Sequence, residues 1–271
     1  MNKIMVRLFA VTAMVLALGA TAFAGGKKDA AGSSTLVVGA TPNPHVVFLN
    51  LVKQDLAAQG INLRVIEYND YILPNAALIS EDLDANFFQH FPYLISNDEW
   101  TTKLVSAFGV HVEPFGLFSS KIKNISELKD GSTIAIPNDP TNGGRALLLL
   151  QANGLITLKA DAGITATPQD ITGNPKNLRF TELDAAQLPR ALADVDAAAI
   201  NGNYALEAGI NPVRDALIIE GAESPYVNIV AVRKGFENDP RILALEKALR
   251  SQKIKDYIQA NYADGSVVAV F

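Results

Sequence analysis

Residues 134–150 read IAIPNDPTNGGRALLLL. An apolar strand runs into a turn rich in Pro, Asn, Asp and Gly, and an apolar helical stretch follows, which is the strand–turn–helix unit of an α/β sheet. The spacing predicts a strand over 132–137 and a helix over 145–152, stopped at Gly154. That boundary places Arg145 in the first helical turn, where a cation opposes the helix dipole by a few tenths to ~1 kcal/mol. Unpaired backbone N–H groups at a helix start attract anions, and a guanidinium holds a carboxylate through two parallel hydrogen bonds. Two readings of Arg145 stay open: a cation waiting for an anionic ligand, or a structural ion pair with a neighbour such as Asp139. The spacing of a nucleotide-binding loop is absent.

Outward from this unit the chain alternates strand and helix. Residues 35–40 (TLVVGA) form a short buried-strand pattern, 46–58 a helix ended by Gly60, and 61–68 (INLRVIEY) a strand of period two. A short helix is expected over 73–79, a strand over 84–88 and mostly helix over 91–104. After 119 come a short helix at 124–128, a helix start at Thr167-Pro168-Gln169-Asp170, another at 184–187, and a strand over 197–200. The tail from 239 to 262 reads as helix, broken once. Strands alternating with helices imply open, mostly parallel sheets flanked by helices.

Composition narrows the function. The net charge of −5 provides no basic stripe for nucleic acid or anionic lipid. There is no cysteine, hence no disulfide, thiolate metal site or cysteine nucleophile. Lys3 and Arg7 precede an apolar run from Leu8 to about Ala20, closed by Ala22-Phe23-Ala24. These are the features of a secretory signal peptide cleaved after Ala24, with residues 1–24 as the leader. The next stretch, 25–34 (GGKKDAAGSS), reads as a flexible linker.

Three places could carry chemistry besides Arg145. Residues 84–94 (DANFFQHFPYL) crowd aromatics and His90 into an apolar wall with polar handles, suited to a small, partly apolar solute, although most aromatics in such a run are core. Asn201 and Asn228 each follow apolar strand-like residues, and ligands of α/β sheets gather beyond the carboxyl ends of strands. Either could instead be a turn residue. Catalytic motifs are missing: there is no Gly-x-Ser-x-Gly elbow and no His-Glu-x-x-His pair. His45, His90 and His111 are the only histidines, and no acidic or histidine-rich loop joins them, so no metal site, cofactor or catalytic residue is expected.

Seven ordered blocks carry a resemblance. They are Tyr71-Ile72-Leu73-Pro74-Asn75; Asp84-Ala85-Asn86 with Phe88-Gln89-His90-x-Pro92-Tyr93-Leu94; Pro137 to Asn142 with Arg145-Ala146; Asn174 to Leu178; Gln187-Leu188-Pro189-Arg190; Ala199-Ile200-Asn201; and Glu223 to Asn228. From about residue 36 to the C-terminus the chain resembles the MetQ/NlpA family. The resemblance implies an α/β, two-lobed periplasmic-binding-protein fold, type II-like, with lobe 1 from 35–118 plus 226–271 and lobe 2 from 119–225. It implies a non-catalytic, monomeric carrier of methionine that serves the permease and ATPase of an ABC importer. Arg145 would bind the methionine carboxylate, Asn138, Asn201 and Asn228 would hold the amino-acid head, and Tyr71, Phe88, His90 and Tyr93 would line the side-chain pocket. L-methionine, D-methionine and a methionine-containing dipeptide all stay open as ligands, as do another small amino acid and a surface interaction role with a vestigial site. Family members carry a lipid-modified cysteine after the signal peptide; this chain has Ala24-Gly25 there. The expectation is an exported periplasmic protein without that anchor.

Overall fold

The structure, a computed structural model, describes residues 34–221 and 224–271. The expected signal peptide and nearly all of the linker lie outside the described residues, as does Glu223. The chain begins with β1 (Ser34–Ala40), α1 (Val47–Ala57), β2 (Ile61–Glu67), α2 (Leu73–Ile79) and β3 (Ala85–His90). Two short helices, α3 (Phe91–Ile95) and α4 (Asp98–Lys103), lead into β4 (Leu104–Val112) and β5 (Gly116–Phe118). Next come β6 (Thr133–Pro137), α5 (Pro140–Ala152), β7 (Thr157–Leu158), β8 (Ile171–Gly173), β9 (Arg179–Leu183), α6 (Leu188–Ala191) and β10 (Ala197–Ile200). The chain ends with α7 (Gly202–Glu207), β11 (Ile218–Ile219), β12 (Val227–Arg233), α8 (Pro240–Leu249), α9 (Gln252–Asn261) and β13 (Val268–Ala269).

Two main sheets result, one of six strands in the order β13-β4-β12-β3-β1-β2 and one of five in the order β11-β5-β10-β6-β9. The pairing is mixed rather than mostly parallel. The βα units make β1 parallel to β2 and β3, and β6 parallel to β9 and β10. The strands next to the passages between sheets return antiparallel: β4, β12 and β13 in the larger sheet, β5 and β11 in the smaller. Residues 116–118, expected to close the first lobe, pair in the five-stranded sheet, so the first crossover falls at 113–115. The chain crosses back between β11 and β12.

The central strands of both sheets are buried on both faces, which explains why they read as nearly continuous apolar runs. In β12, Val230 and Val232 point into the core shared with α1, α8 and α9, while Ile229 and Ala231 point to the opposite core with Leu78 and Leu104. In β10, Ala197 and Ala199 face the α5 side and Ala198 and Ile200 face the α6–α7 side. Among the described residues no helix is long and apolar enough to cross a membrane.

Helix α5 starts at Pro140, five residues before the expected start. Asp139 caps it, its carboxylate accepting from the Asn142 N–H at 2.9 Å, and Pro140 occupies the first turn, where its missing N–H costs nothing. Gly144 seats this turn: a Cβ there would stand 2.3 Å from the Ile164 carbonyl oxygen. Arg145 therefore lies in the second turn, and the helix start is already capped. Thr167 to Asp170 does make a capped turn, Asp170 accepting from the Thr167 N–H at 2.9 Å, but only one 3-10 turn forms before β8.

Candidate functional site

A narrow cavity opens where the two sheets meet. Its walls are Tyr71, Phe88, Gln89, His90, Tyr93, Glu113, Arg145, Asn201, Gly202, Asn203 and Asn228. Seven of the eight residues expected at the site are therefore brought together. Asn138 is not: it is exposed and donates to Asp184 Oδ1 at 2.6 Å. Asn142 stands at the site in its place, three residues before Arg145 and so on the same helical face.

The aromatic side comes from β3 and its flanks. Strand alternation sends Phe88 and His90 toward the cavity and Phe87 into the core of the larger sheet. Tyr71, Phe88 and Tyr93 form a cluster with ring centroids 5.8–6.1 Å apart, an edge-rich surface on which an apolar or thioether chain packs well. The tyrosine hydroxyls are tied back, Tyr93 donating to the Tyr71 carbonyl at 3.0 Å and Tyr71 to Asn203 Oδ1 at 2.5 Å across the junction. Burial raises both phenols, so they stay neutral donors.

His90 and Asn142 join the two sides. His90 Nδ1 accepts from the Tyr93 N–H at 3.1 Å, which leaves Nε2–H to donate to Asn142 Oδ1 at 3.2 Å. Asn201 Nδ2 donates to the same oxygen at 2.8 Å, and the Asn142 amide donates to Asp139. Burial, helped by the Arg145 charge, pulls His90 down to about 3, so the ring is neutral.

Arg145 is buried and already paired. Its Nε and Nη2 donate to Glu220 at 2.7 and 2.6 Å, and Nη2 also reaches the Glu113 carbonyl at 3.1 Å. The guanidinium lies over the Tyr226 ring, 4.0 Å from its centroid. The structural ion pair considered for Arg145 thus exists, with Glu220 rather than Asp139, because the second crossover lies closer to a second-turn side chain than the cap does. Nη1 makes no hydrogen bond among the described residues.

Asn228 lies at the start of β12, not at a strand's carboxyl end. Because β12 runs antiparallel to β3, its register sets Asn228 opposite His90, at the carboxyl end of β3, and opposite His111 of β4. Asn228 Oδ1 accepts from His45 Nε2 at 3.1 Å. Asn201 does follow the end of β10, and its Oδ1 is buried without a partner, as is Asn203 Nδ2. A ligand with both donors and acceptors would satisfy these two atoms.

Glu113, His45 and His111 were not foreseen as a unit. Glu113 Oε1 accepts from His111 Nε2 at 2.7 Å and lies 3.5 Å from His45 Nε2. The ligating atoms of the three lie within 4.8 Å of one another, a set of metal-binding type. The 2.7 Å contact is that of a hydrogen bond, shorter than the roughly 3.3 Å between two ligands of a tetrahedral zinc. Burial lowers His45 to about 4 and His111 to about 3, and it raises the Glu113 carboxyl against the pull of His45 and Arg145. A signal was available in the sequence: Glu113 is the single acid inside the apolar run HVEPFGLF.

Two α/β lobes joined by two crossovers, with an enclosed polar and aromatic cavity at their junction, define a two-lobed binding-protein fold. The NlpA lipoprotein family model matches residues 36–271, and the chain belongs to that family. It is similar to the methionine-binding lipoprotein MetQ of Bacillus subtilis, 40% identical and covering 98% of this chain and 99% of that one. It is also similar to the D-methionine-binding lipoprotein MetQ of Escherichia coli K12, 42% identical over 77% of this chain and 78% of that one. Among solved structures, a nutrient-binding protein from Burkholderia cenocepacia bound to methionine matches with a TM-score of 0.83 at 47% identity, over 87% of this chain and all of that one.

Proposed function

We propose that the chain is an exported, non-catalytic carrier that closes its two lobes on free methionine and delivers it to the permease and ATPase of an ABC importer. The observation that carries the reading is the cavity itself, which sets a guanidinium with two spare donors opposite a cluster of three aromatic rings. An amino acid with a thioether side chain matches that polarity: carboxylate on Arg145 Nη1, ammonium among the unpartnered acceptors, sulfur among Tyr71, Phe88 and Tyr93. Relatives that bind methionine support the choice over other small amino acids. Residues 34–112 and 227–271 act as one lobe and 116–219 as the other, and the crossovers between them are where opening and closing would bend the chain. The carrier acts as a monomer in the periplasm. The two MetQ relatives are lipoproteins by name.

Calorimetric titration of the purified chain with L-methionine, D-methionine and methionyl dipeptides tests the reading. One-to-one binding of at least one of them is expected. No heat with any of the three overturns the methionine assignment while leaving the fold intact.

A further inference from the structure

Three amides are buried together behind the aromatic side of the cavity. Asn75 of α2 and Asn86 of β3 are fully buried, and Gln89 of β3, the only one of the three to reach the cavity, is 3% exposed. Four hydrogen bonds join them. Asn75 Nδ2 donates to Gln89 Oε1 at 2.9 Å, and Asn86 Nδ2 and Gln89 Nε2 each donate to Asn75 Oδ1 at 2.8 Å. Gln89 Nε2 also donates to Asn86 Oδ1 at 2.9 Å, and Asn86 Nδ2 to the Pro74 carbonyl at 3.1 Å. Each side-chain nitrogen and oxygen of the three thus has a partner. Their cross-strand neighbours on β12, Ala231 and Ile229, belong to an apolar core. Amides are costly to bury in such a place unless their bonds are made, and a closed set of bonds is satisfied in only one arrangement.

That arrangement coincides with a break in β3. Against β12, Val230 pairs with Phe87 and its neighbour Ile229 pairs with Gln89, so Phe88 is one extra residue in β3. On the other side, the pairing with β1 stops at Phe87. Phe88 has no partner in either ladder, and neither ladder fixes where its ring points. A bulge of this kind re-aims a side chain and is common beside functional sites. Regular alternation would set Asn86 and Gln89, three positions apart, on opposite faces of β3. With the extra residue between them they meet, and their hydrogen bond closes across the bulge. Asn75 then ties both to α2, the helix that follows Tyr71.

We propose that Asn75 and Asn86, acting through Gln89, are positioning residues: their closed amide set locks the bulge at Phe88 and fixes how far the aromatic side stands into the cavity. The set thereby limits the length of side chain that the cavity accepts. The inference rests on the carrier reading above, and it concerns residues behind the wall rather than the groups that touch the ligand. Leucines would fill the same space without directional bonds and would leave the extra residue free to settle elsewhere in the strand.

Calorimetry with two probes reads the aromatic side alone, because L-methionine and L-ethionine share the amino-acid head and the thioether and differ by one methylene. Wild type should bind L-methionine at least ~10-fold more tightly than L-ethionine, the range for one methylene against a fixed pocket. Asn75→Ala removes the shared acceptor of the set without touching the cavity, and the preference should fall at least ~5-fold. Leu150→Ala, a truncation in the core of the other lobe, lowers stability as well but should keep the wild-type ratio. An unchanged ratio in Asn75→Ala, or an equal fall in Leu150→Ala, overturns the proposal. So does wild type that binds both probes alike, a comparison that needs no variant to fold. A crystal structure of ligand-free Asn75→Ala should show the Phe88 ring displaced by about 1 Å or more from its wild-type position, and an unmoved ring overturns the proposal whatever the protein binds. Absence of binding to both probes by wild type instead sinks the methionine reading, and the position of the Phe88 ring then decides the positioning role by itself.

Discussion

The two crossovers between the lobes each bring a glutamate to the same arginine, and they bury it in different ways. On the second crossover Glu220 meets Arg145 in a bidentate pair at 2.6 and 2.7 Å and also accepts from the Phe115 N–H at 3.3 Å. On the first, Glu113 shows Arg145 only its backbone carbonyl and turns its carboxylate to His45 and His111. Glu220 is paired with the guanidinium directly; Glu113 is hydrogen-bonded to His111, lines the cavity and feels the Arg145 charge only through space. The pair with Glu220 holds the guanidinium in one place at the cavity wall.

Variants separate these two roles. The largest effect is expected for Arg145→Ala, which strips the countercharge from Glu220 and removes the nearby positive charge that acts on Glu113. It should cost about 3–5 kcal/mol of folding stability, read by urea unfolding, and, on the proposed carrier reading, abolish methionine binding. A loss below about 1 kcal/mol would mean the pair is not structural. Acidification comes next. His45, His90 and His111 have folded values of about 4, 3 and 3 against 6.5 unfolded, so the unfolded chain takes up protons that the folded chain refuses. Stability present above pH 6.5 is therefore lost as the pH falls toward 4. Glu113 and Asp139, whose carboxyls burial raises, shift the other way and blunt the loss. Thermal midpoints at pH 7 and pH 5 check the sign, and an unchanged or higher midpoint at pH 5 would contradict it.

Gly202→Ala should cost roughly 1–3 kcal/mol, because its Cβ would press on Glu113 and on the Pro114 carbonyl oxygen 3.1 Å away. Glu113→Gln sharpens the comparison through its sign: stability should stay within about 1 kcal/mol of wild type or rise, since a nearly isosteric amide removes a buried carboxyl that desolvation disfavours in its charged form. Unfolding both glutamine variants side by side, Glu113→Gln and Glu220→Gln, would break the contrast if they destabilise alike. Asn138→Ala is the smallest, within about 0.5 kcal/mol in both stability and affinity, as befits an exposed residue outside the cavity.

Local chemistry made much of this legible before any coordinates. The strand–turn–helix at 134–150, the short helix at 73–79 and the strand at 197–200 follow from apolar runs and punctuation that tertiary packing did not override. What escaped was long-range. Strand β4, nine residues long, carries no clean alternation because both of its faces are covered, and it begins directly behind a helix. Arg145 was set in the wrong turn although Asp139-Pro140 is itself a helix-start signal; with that start, the three-residue spacing to Asn142 would have chosen Asn142 over Asn138. The cluster around Glu113 draws on residues 45, 111 and 113, which only the strand register and the turn after β1 bring together.

A crystal structure of the chain grown with L-methionine tests the central claim most directly. The account predicts one methionine in the cavity, its carboxylate within hydrogen-bond distance of Arg145 Nη1 and its sulfur among Tyr71, Phe88 and Tyr93. An empty cavity at saturating methionine, or a ligand turned so that its carboxylate faces Glu113, would contradict it.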